Sequence, residues 1–255
     1  MRAEKKIYFV ADIHLGNRYA QNPLDAEKKL VKWLDGVKKD ASAIYFLGDI
    51  FDYWFEYKHV VPRGHVRFLG KLAELSDSGI AIHFIIGNHD IWMFDYLPQE
   101  IGAIIHRKPF TVELLGQNFF LGHGDEVGYR PFKYRFIQSF FRNRLCQVLY
   151  ATIHPRWSFG FARSWSLRSR KCGSTSEKFK LAQARNTKAL EDFAKTYLQT
   201  HPDIRFFIFG HLHILLDREI PPSARLIITG DWMKLFSYAV WDGKSLTINK
   251  LSNTD

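Results

Sequence analysis

The chain has 255 residues, 46% of them hydrophobic, and a formal net charge of +10; such a chain can bury a full core, which favours one large domain over two. Its two cysteines, Cys146 and Cys172, lie far apart without CxxC neighbours, so a reducing cytoplasm fits better than a disulfide framework or a zinc knuckle. Because no run approaches the roughly 18 apolar residues of a membrane span and no signal-peptide core is evident, we expect a cytoplasmic protein without a transmembrane helix.

Short apolar runs alternate with helical patterns in the first half of the chain. They predict strands at 5–11, 43–48 and 81–86, and helices at 25–39 and 64–76. These strands are apolar on both faces and are joined by helices. The pattern therefore indicates an α/β fold whose parallel sheet is covered on both sides.

The second half predicts further strands on either side of a long insertion. Short strands fall within 103–122, a helix follows at 177–199, and four late strands are predicted at 205–209, 225–229, 236–241 and 246–250. We interpret 126–200 as a helical cap inserted between strands of one sheet. No internal repeat or linker interrupts the chain, so residues 1–255 are expected to form a single domain that carries this cap.

Five fragments rich in metal-ligand side chains each follow a predicted strand. They are Asp12-Ile-His14, Gly48-Asp49-Ile-Phe-Asp52, Gly87-Asn88-His89-Asp90, Gly122-His123-Gly124-Asp125 and Gly210-His211-Leu212-His213. In an open α/β sheet the strand ends carry the ligand-binding loops, and side chains two residues apart on extended backbone point to the same side. Each fragment alone is a weak signal. Together they predict a site for divalent metals, and the absence of thiolates favours Mn²⁺, Fe²⁺ or Zn²⁺ over a structural zinc site.

In this order the fragments resemble the signature of the calcineurin-like metallophosphoesterases, from residue 5 to about residue 241 outside the insertion. The resemblance implies an αββα four-layer sandwich of two packed mixed sheets and a pair of divalent metal ions, for which we expect Mn²⁺. It implies two ligand sets joined by a bridging Asp49: Asp12, His14 and His213 for one metal, and Asn88, His123 and His211 for the other.

Phosphate-ester hydrolysis is the chemistry that such a pair of metals performs. The resemblance places His89 beside the phosphate, where it would protonate the leaving oxygen or stabilise developing charge. It also makes Asp52 the residue that orients His89. An ordinary carboxylate at a helix start is the alternative reading of Asp52.

The net charge is concentrated in the insertion. Ten Lys or Arg residues and no Asp or Glu lie between Val127 and Ser176, and eleven aromatic residues lie between Tyr129 and Lys171. A cap that is both cationic and apolar suits a phosphorylated amphiphile, and also the surface of an anionic bilayer. A helix pair with its aromatic rings buried against the sheet is the structural alternative.

Within the superfamily, the chain most resembles the UDP-2,3-diacylglucosamine pyrophosphohydrolases of lipid A biosynthesis, which release UMP and 2,3-diacylglucosamine 1-phosphate (lipid X). The features that carry this resemblance are the early Asp12-Ile-His14, the run Leu47-Gly48-Asp49-Ile50-Phe51, the block His123-Gly124-Asp125 and the helical insertion after it. It implies a lipid-linked nucleotide-sugar substrate and a peripheral place on the inner face of the inner membrane of a Gram-negative bacterium.

The same resemblance assigns substrate contacts to Asn88, Lys171 and Lys178, the last within a run that matches the family's substrate-contacting helix. The best-known branch of that family has Arg where this chain has His89 and Glu where it has Asp52. This chain would therefore represent a divergent branch.

Two other functions stay open. A nuclease or nucleotide phosphodiesterase would use the basic cap on nucleic acid, with aromatic rings stacking bases and with binding that weakens steeply in salt. A non-catalytic metal-binding scaffold would need no proton donor at His89. We expect no nucleic-acid partner, and dependence of activity on acyl chains would separate the lipid substrate from a nucleic acid.

Overall fold

A computed structural model of the chain describes residues 5–17, 22–127, 131–160 and 177–251. Its strands, in chain order, are β1 (Lys6–Val10), β2 (Ala41–Phe46), β3 (Ala81–Ile85), β4 (Ile104–His106), β5 (Phe110–Leu114), β6 (Gln117–Leu121), β7 (Ile204–Phe209), β8 (Leu215–Ile220), β9 (Ala224–Thr229), β10 (Ser237–Trp241) and β11 (Leu246–Lys250). Its helices are α1 (Pro23–Val37), α2 (Val66–Asp77), α3 (Tyr96–Ile101), α4 (Phe132–Arg142), α5 (Arg144–Ala151), α6 (155–160) and α7 (Glu177–Leu198).

These strands form two mixed sheets. The first has the order β11-β10-β1-β2-β3-β4, in which β1 to β4 are parallel and β10 and β11 are antiparallel neighbours. The second has the order β5-β6-β7-β9-β8, with three parallel central strands between two antiparallel edges. The parallel centre agrees with the pattern of apolar runs, and the pair of mixed sheets confirms the predicted αββα sandwich.

Alternation along the strands divides the core into three layers. In β1, Tyr8 and Val10 face a cluster that includes α1, α2 and α3, whereas Ile7 and Phe9 face the space between the sheets. There Phe9 stacks on Phe119 of the second sheet, with ring centroids 5.7 Å apart. The helix α7 covers the outer face of the second sheet. Because central strands such as β1 and β7 are buried on both faces over most of their length, their register is fixed, and so is the position of the loop at the end of each.

The strand β8 and the short helix α3 are absent from the sequence-based expectations. In β8 the charged residues Asp217, Arg218 and Glu219 are consecutive and exposed, so neither apolar alternation nor an apolar run marks the strand. Charges of this kind are typical of an edge strand, where they discourage pairing with other chains.

The aromatic residues of the insertion divide between inward and outward positions. Phe141 and Tyr150 pack against the first core layer, and Tyr150 stacks on Trp92 at 5.2 Å between centroids. Other large apolar side chains of α4 to α6 are exposed: Phe132, Phe136, Ile137, Phe140, Leu145, Val148, Leu149, Ile153 and Trp157. The structural alternative thus describes Phe141 and Tyr150, and the binding of an amphiphile or a bilayer by the exposed side chains stays a prediction. No helix within the described ranges has the length and hydropathy needed to cross a bilayer.

A buried carboxylate fixes the chain that leaves β3. One oxygen of Glu56 accepts the backbone N–H groups of Phe94, Asp95 and Tyr96 at 2.6–3.1 Å, and the other accepts the indole N–H of Trp54 at 2.9 Å. The three N–H groups belong to the start of α3, where backbone donors have no partner within the helix. Glu56 thereby ties the loop after β2 to the loop after β3.

The change Glu56→Gln should lower the free energy of unfolding by about 1–3 kcal/mol, because its amide can keep only one of the two sets of bonds. Urea denaturation measures this difference. The matched change Glu113→Gln, at an exposed position of β5, should stay within about 0.5 kcal/mol of the wild type. Equal stabilities of the two variants would contradict the role given to Glu56.

Candidate metal centre

All five predicted fragments converge at one end of the sandwich. The loops after β1, β2 and β3 come from the first sheet, and those after β6 and β7 come from the second. Each follows the carboxyl end of a parallel strand, and the two sheets bring these ends together. The site therefore lies at the carboxyl ends of the parallel strands of both sheets.

The first group consists of Asp12, His14 and His213, whose ligand atoms all lie within 4.8 Å of one another. Asp12 Oδ1 is 3.8 Å from His14 Nε2 and 3.7 Å from His213 Nε2. Its second oxygen accepts the backbone N–H of His211 at 2.7 Å. The carboxylate of Asp12 thus holds the loop after β7 in place while one oxygen faces two imidazoles.

The second group consists of Asp49, His123 and His211, also within 4.8 Å of one another. Asp49 Oδ2 is 3.4 Å from His123 Nε2, and the same oxygen is 3.8 Å from His14 Nε2 of the first group. Asp49 therefore stands between the two groups, and its expected role as a bridging carboxylate stays a prediction. The predicted Asn88 is on the loop that follows β3.

Several inward-facing atoms have no hydrogen-bond partner among the residues that the structure describes. Asp12 Oδ1, Asn88 Oδ1 and His123 Nε2 are all buried in this way. An unsatisfied buried polar atom costs about 1–3 kcal/mol, so three of them at one site indicate that a ligand completes it. Carboxylate, amide and imidazole donors together suit a divalent cation.

Backbone contacts aim one imidazole into the site. His123 Nδ1 lies 2.8 Å from the carbonyl oxygen of Leu47. A carbonyl only accepts, so this nitrogen carries a proton and donates it, which leaves Nε2 directed at Asp49. Burial disfavours the charged ring, but Asp49 and Asp12 outweigh it and raise the pKa of His123 well above its ordinary value. A dication competes with a proton for the same nitrogen.

Burial also sets the protonation of the other ligand candidates. It lowers the pKa of His14 and of His211 to about 4 each, so both rings are neutral at pH 7, which is the form that binds metals. Burial alone would raise the pKa of Asp49, but His123 and His89 hold it well below its ordinary value. Asp49 is therefore a carboxylate throughout the physiological range.

His89 lies at the rim of the site. Its side chain is 21% exposed, and Nε2 is 4.0 Å from Asp49 Oδ2. Together with His14 and Asp49 it forms a third group of ligand atoms within 4.8 Å, although the resemblance gave it no metal.

Asp52 contacts His89 through its main chain. His89 Nδ1 is 2.9 Å from the Asp52 carbonyl oxygen, whereas the Asp52 carboxylate is 3.9 Å from that nitrogen and 3.6 Å from His14 Nδ1. The contact between Asp52 and the His89 ring is therefore made by the Asp52 backbone carbonyl, and the predicted orientation of His89 by Asp52 stays a prediction. The carboxylate is closer to His14.

Asp90 belongs to a predicted fragment, but its role was not foreseen. Its buried carboxylate accepts four backbone N–H groups at 2.7–3.3 Å, those of Gly87, Asp49, Ile50 and Phe51. It therefore joins the loop after β2 to the loop after β3 and fixes the main chain of Asp49. A second unforeseen carboxylate, Asp231, lies 3.6 Å from His213 Nδ1. Its signal in the sequence is the Gly230-Asp231 pair directly after an apolar strand.

The side-chain positions of the two predicted substrate lysines are not described. Lys171 lies outside the described residues, and Lys178 is on α7 with its side chain outside the described part of the chain. Both assignments stay predictions.

Five of the candidate ligand residues adopt the left-handed backbone conformation. The φ angles are between 50° and 67° for Asp12, His14, Asp49, His211 and His213. Residues with a Cβ adopt this region at a cost of about 1–2 kcal/mol each. Backbone bonds hold them there, among them that from His14 N to Asp49 O at 2.9 Å. Strain that collects in this way marks a functional site.

Comparison with known proteins gives a consistent result. A family model described as calcineurin-like phosphoesterase matches residues 5–215. A UDP-2,3-diacylglucosamine hydrolase from Porphyromonas gingivalis is 46% identical and covers 98% of this chain and 99% of its own. One from Aeromonas hydrophila is 28% identical and covers 89% and 90%. A dimetal phosphatase structure from Danio rerio is 13% identical, covers 98% and 100%, and has a TM-score of 0.46.

Gly87 has to be glycine because of its closeness to Asp49. A Cβ at this position would lie 2.5 Å from Asp49 N and closer still to Oδ1, so Gly87→Ala must displace the carboxylate. We expect Mn²⁺ affinity, measured by calorimetry, to fall at least tenfold. The control Gly70→Ala lies in α2 with open space around it and should bind Mn²⁺ normally. Undiminished binding in Gly87→Ala would refute the bridging position of Asp49.

Proposed function

The chain belongs to the calcineurin-like phosphoesterase family, and we propose that it hydrolyses the diphosphate of UDP-2,3-diacylglucosamine to UMP and 2,3-diacylglucosamine 1-phosphate. The substrate rests on the similarity to the Porphyromonas gingivalis hydrolase along almost the whole length of both chains. The reaction type is supported by the two groups of ligand atoms on either side of Asp49. The proposed cofactor is a pair of divalent ions, with Mn²⁺ as the first choice.

In this proposal each group of side chains would hold one ion. Asp12, His14 and His213 would hold the first, Asn88, His123 and His211 would hold the second, and Asp49 would contact both. When bound, such ions supply Lewis acidity to phosphoryl oxygens and stabilise the charge of an in-line displacement. The carboxylates of Asp12 and Asp90 tie the loops of these side chains together, which would keep the positions of bound ions fixed.

His89 is suited to contact the phosphate beside these groups. Its Nδ1 lies 2.9 Å from the Asp52 carbonyl, so Nδ1 is the protonated nitrogen of the neutral ring and Nε2 faces the site. A neutral His89 can therefore only accept a proton at Nε2. Protonating the leaving oxygen requires the doubly protonated imidazolium, which would also stabilise negative charge on the phosphate.

The cap supplies a surface for an amphiphilic substrate. Phe132, Phe136 and Phe140 repeat every four residues along α4 and are exposed, and Trp157 of α6 is 71% exposed. Helical residues four apart lie on one face. Arg135, Arg144 and Arg156 of the same segment are also exposed. An exposed apolar face in a cationic segment fits acyl chains and an anionic bilayer surface.

We accordingly place the protein at the inner face of a Gram-negative inner membrane, as a peripheral protein. The lipid-linked substrate lies in such a bilayer, and cations near an anionic surface each contribute about 1 kcal/mol to binding. Acyl chains would reach the metal groups from this side without the protein crossing the membrane.

The decisive assay follows UMP release from UDP-2,3-diacylglucosamine with Mn²⁺. The wild type should release UMP, chelation should abolish release, and added Mn²⁺ should restore it. His89→Ala should slow release by about 10²–10⁴-fold, whereas His59→Ala, at an exposed position, should leave the rate unchanged. The substrate assignment would be overturned if the metal-loaded wild type released no UMP. It would also be overturned if the wild type released nucleotides from DNA or RNA instead.

The cap surface can be tested separately with vesicles that contain anionic phosphatidylglycerol. Replacing both Phe136 and Phe140 by Ser should weaken partitioning at least tenfold, since burying one such ring contributes roughly 1.5–3 kcal/mol. Cleavage of bis-p-nitrophenyl phosphate should be unaffected. Val66→Ser, an exposed apolar position on α2, is the matched control. Equal partitioning of the double variant and the wild type would show that this face does not meet the membrane.

A further inference from the structure

Asp231 is a buried carboxylate directly after β9. Its Oδ1 accepts three backbone N–H groups at 2.7–3.0 Å, those of Met233, Lys234 and Leu235. Its Oδ2 lies 3.6 Å from Nδ1 of His213. The two oxygens therefore have different surroundings: one closes the turn that follows, and the other faces an imidazole of the candidate metal centre.

The ring of His213 lies between two carboxylates. Its Nε2 is 3.7 Å from Asp12 Oδ1, on the side of the metal groups. Its Nδ1 is buried, has no hydrogen-bond partner in the described ranges of the chain, and lies 3.6 Å from Asp231 Oδ2. A neutral imidazole carries one N–H. A carboxylate behind Nδ1 favours the proton there and leaves the lone pair of Nε2 directed at Asp12.

The loop that carries Asp231 is firmly held before any ligand binds. The backbone N–H of Trp232 donates to the carbonyl oxygen of Asp12 at 3.1 Å. The Trp232 indole N–H donates to the carbonyl of Ser237 at 2.9 Å, and its ring packs on Trp33 with centroids 5.0 Å apart. Asp231 is thereby fixed relative to Asp12, so a carboxylate stands at a constant position behind the His213 ring.

Similar acceptors stand behind two other imidazoles of the site. His123 Nδ1 donates to the Leu47 carbonyl, and His14 Nδ1 lies 3.6 Å from the Asp52 carboxylate. In all three rings Nε2 points toward Asp12 or Asp49. The orientation of His213 is thus part of a common arrangement. In each ring Nδ1 faces an oxygen acceptor, and Nε2 is available to a metal.

We propose that Asp231 is a positioning residue that holds His213 as the Nδ1–H tautomer and so strengthens cation binding by the Asp12, His14 and His213 group. The inference rests on the proposed function, because it requires this group to bind a divalent metal. Outer carboxylates of this kind typically change metal affinity by about 10–100-fold. The alternative is that Asp231 only closes the turn through Oδ1.

The change Asp231→Asn separates these two roles. Its carbonyl oxygen can still accept the three backbone N–H groups, so the turn keeps its closure. Its NH₂ group replaces Oδ2 and presents a donor to His213 Nδ1. The ring must then accept at Nδ1 and carry its proton on Nε2, where it blocks metal binding.

The test is Mn²⁺ titration of metal-free protein by calorimetry, with thermal melting of the metal-free forms. The wild type should bind two ions. Asp231→Asn should melt within about 2 °C of the wild type, because the turn keeps its three backbone hydrogen bonds. It should bind one ion normally and the other at least tenfold more weakly. Asp77→Asn, exposed at the end of α2, should match the wild type.

Electron paramagnetic resonance gives an independent readout that a change in turn stability would not alter. At two equivalents of Mn²⁺ the wild type should show a spin-coupled pair, and Asp231→Asn should show uncoupled ions. Wild-type affinity and coupling in Asp231→Asn would overturn the inference alone. Equal weakening of both sites with a large loss of melting temperature would assign Asp231 to the turn only. A wild type that binds no Mn²⁺ would defeat the proposed function as well.

Discussion

The buried carboxylate of Asp49 is the constraint on which the rest of the site depends. This carboxylate is buried between two groups of imidazoles. A buried anion is stable only if opposite charges or hydrogen bonds compensate for the lost hydration. Its Oδ1 accepts the N–H of His89 at 2.8 Å, and Asp90 holds its main chain. In the described part of the chain, imidazole nitrogens lie 3.4–4.0 Å from its Oδ2. Cations on either side would complete its coordination.

The two-sheet architecture makes this arrangement possible. One sheet supplies the loops after β1 to β3 and the other those after β6 and β7, so the Asp12-His14-His213 group and the Asp49-His123-His211 group each draw on both sheets. The stacked core between the sheets sets their separation, and Phe9 with Phe119 is one contact across it. Rigid strands can then hold the left-handed backbone of the ligand residues, whose strain an isolated loop would release.

Local pattern was enough to predict most of the strands, the helices α1, α2 and α7, and the fragments at the strand ends, because apolar periodicity and strand-end residue types can be read from neighbouring residues. Contacts between distant segments were not predictable in that way. Asp90 and Asp231 act through backbone groups and rings that only the fold brings near. The contact of His89 with Asp52 is made by a carbonyl, which every residue has. The charged edge strand β8 lacked the alternation by which strands are found.

In the proposed site, Asp49 stands between two metal ions. The most direct measurement is a crystal structure of the protein grown with Mn²⁺, using anomalous scattering to locate the ions. Two anomalous peaks are expected, one among Asp12, His14 and His213 and one among Asn88, His123 and His211, with the Asp49 carboxylate contacting both. A single peak, or peaks that leave Asp49 without metal contact, would contradict the claim.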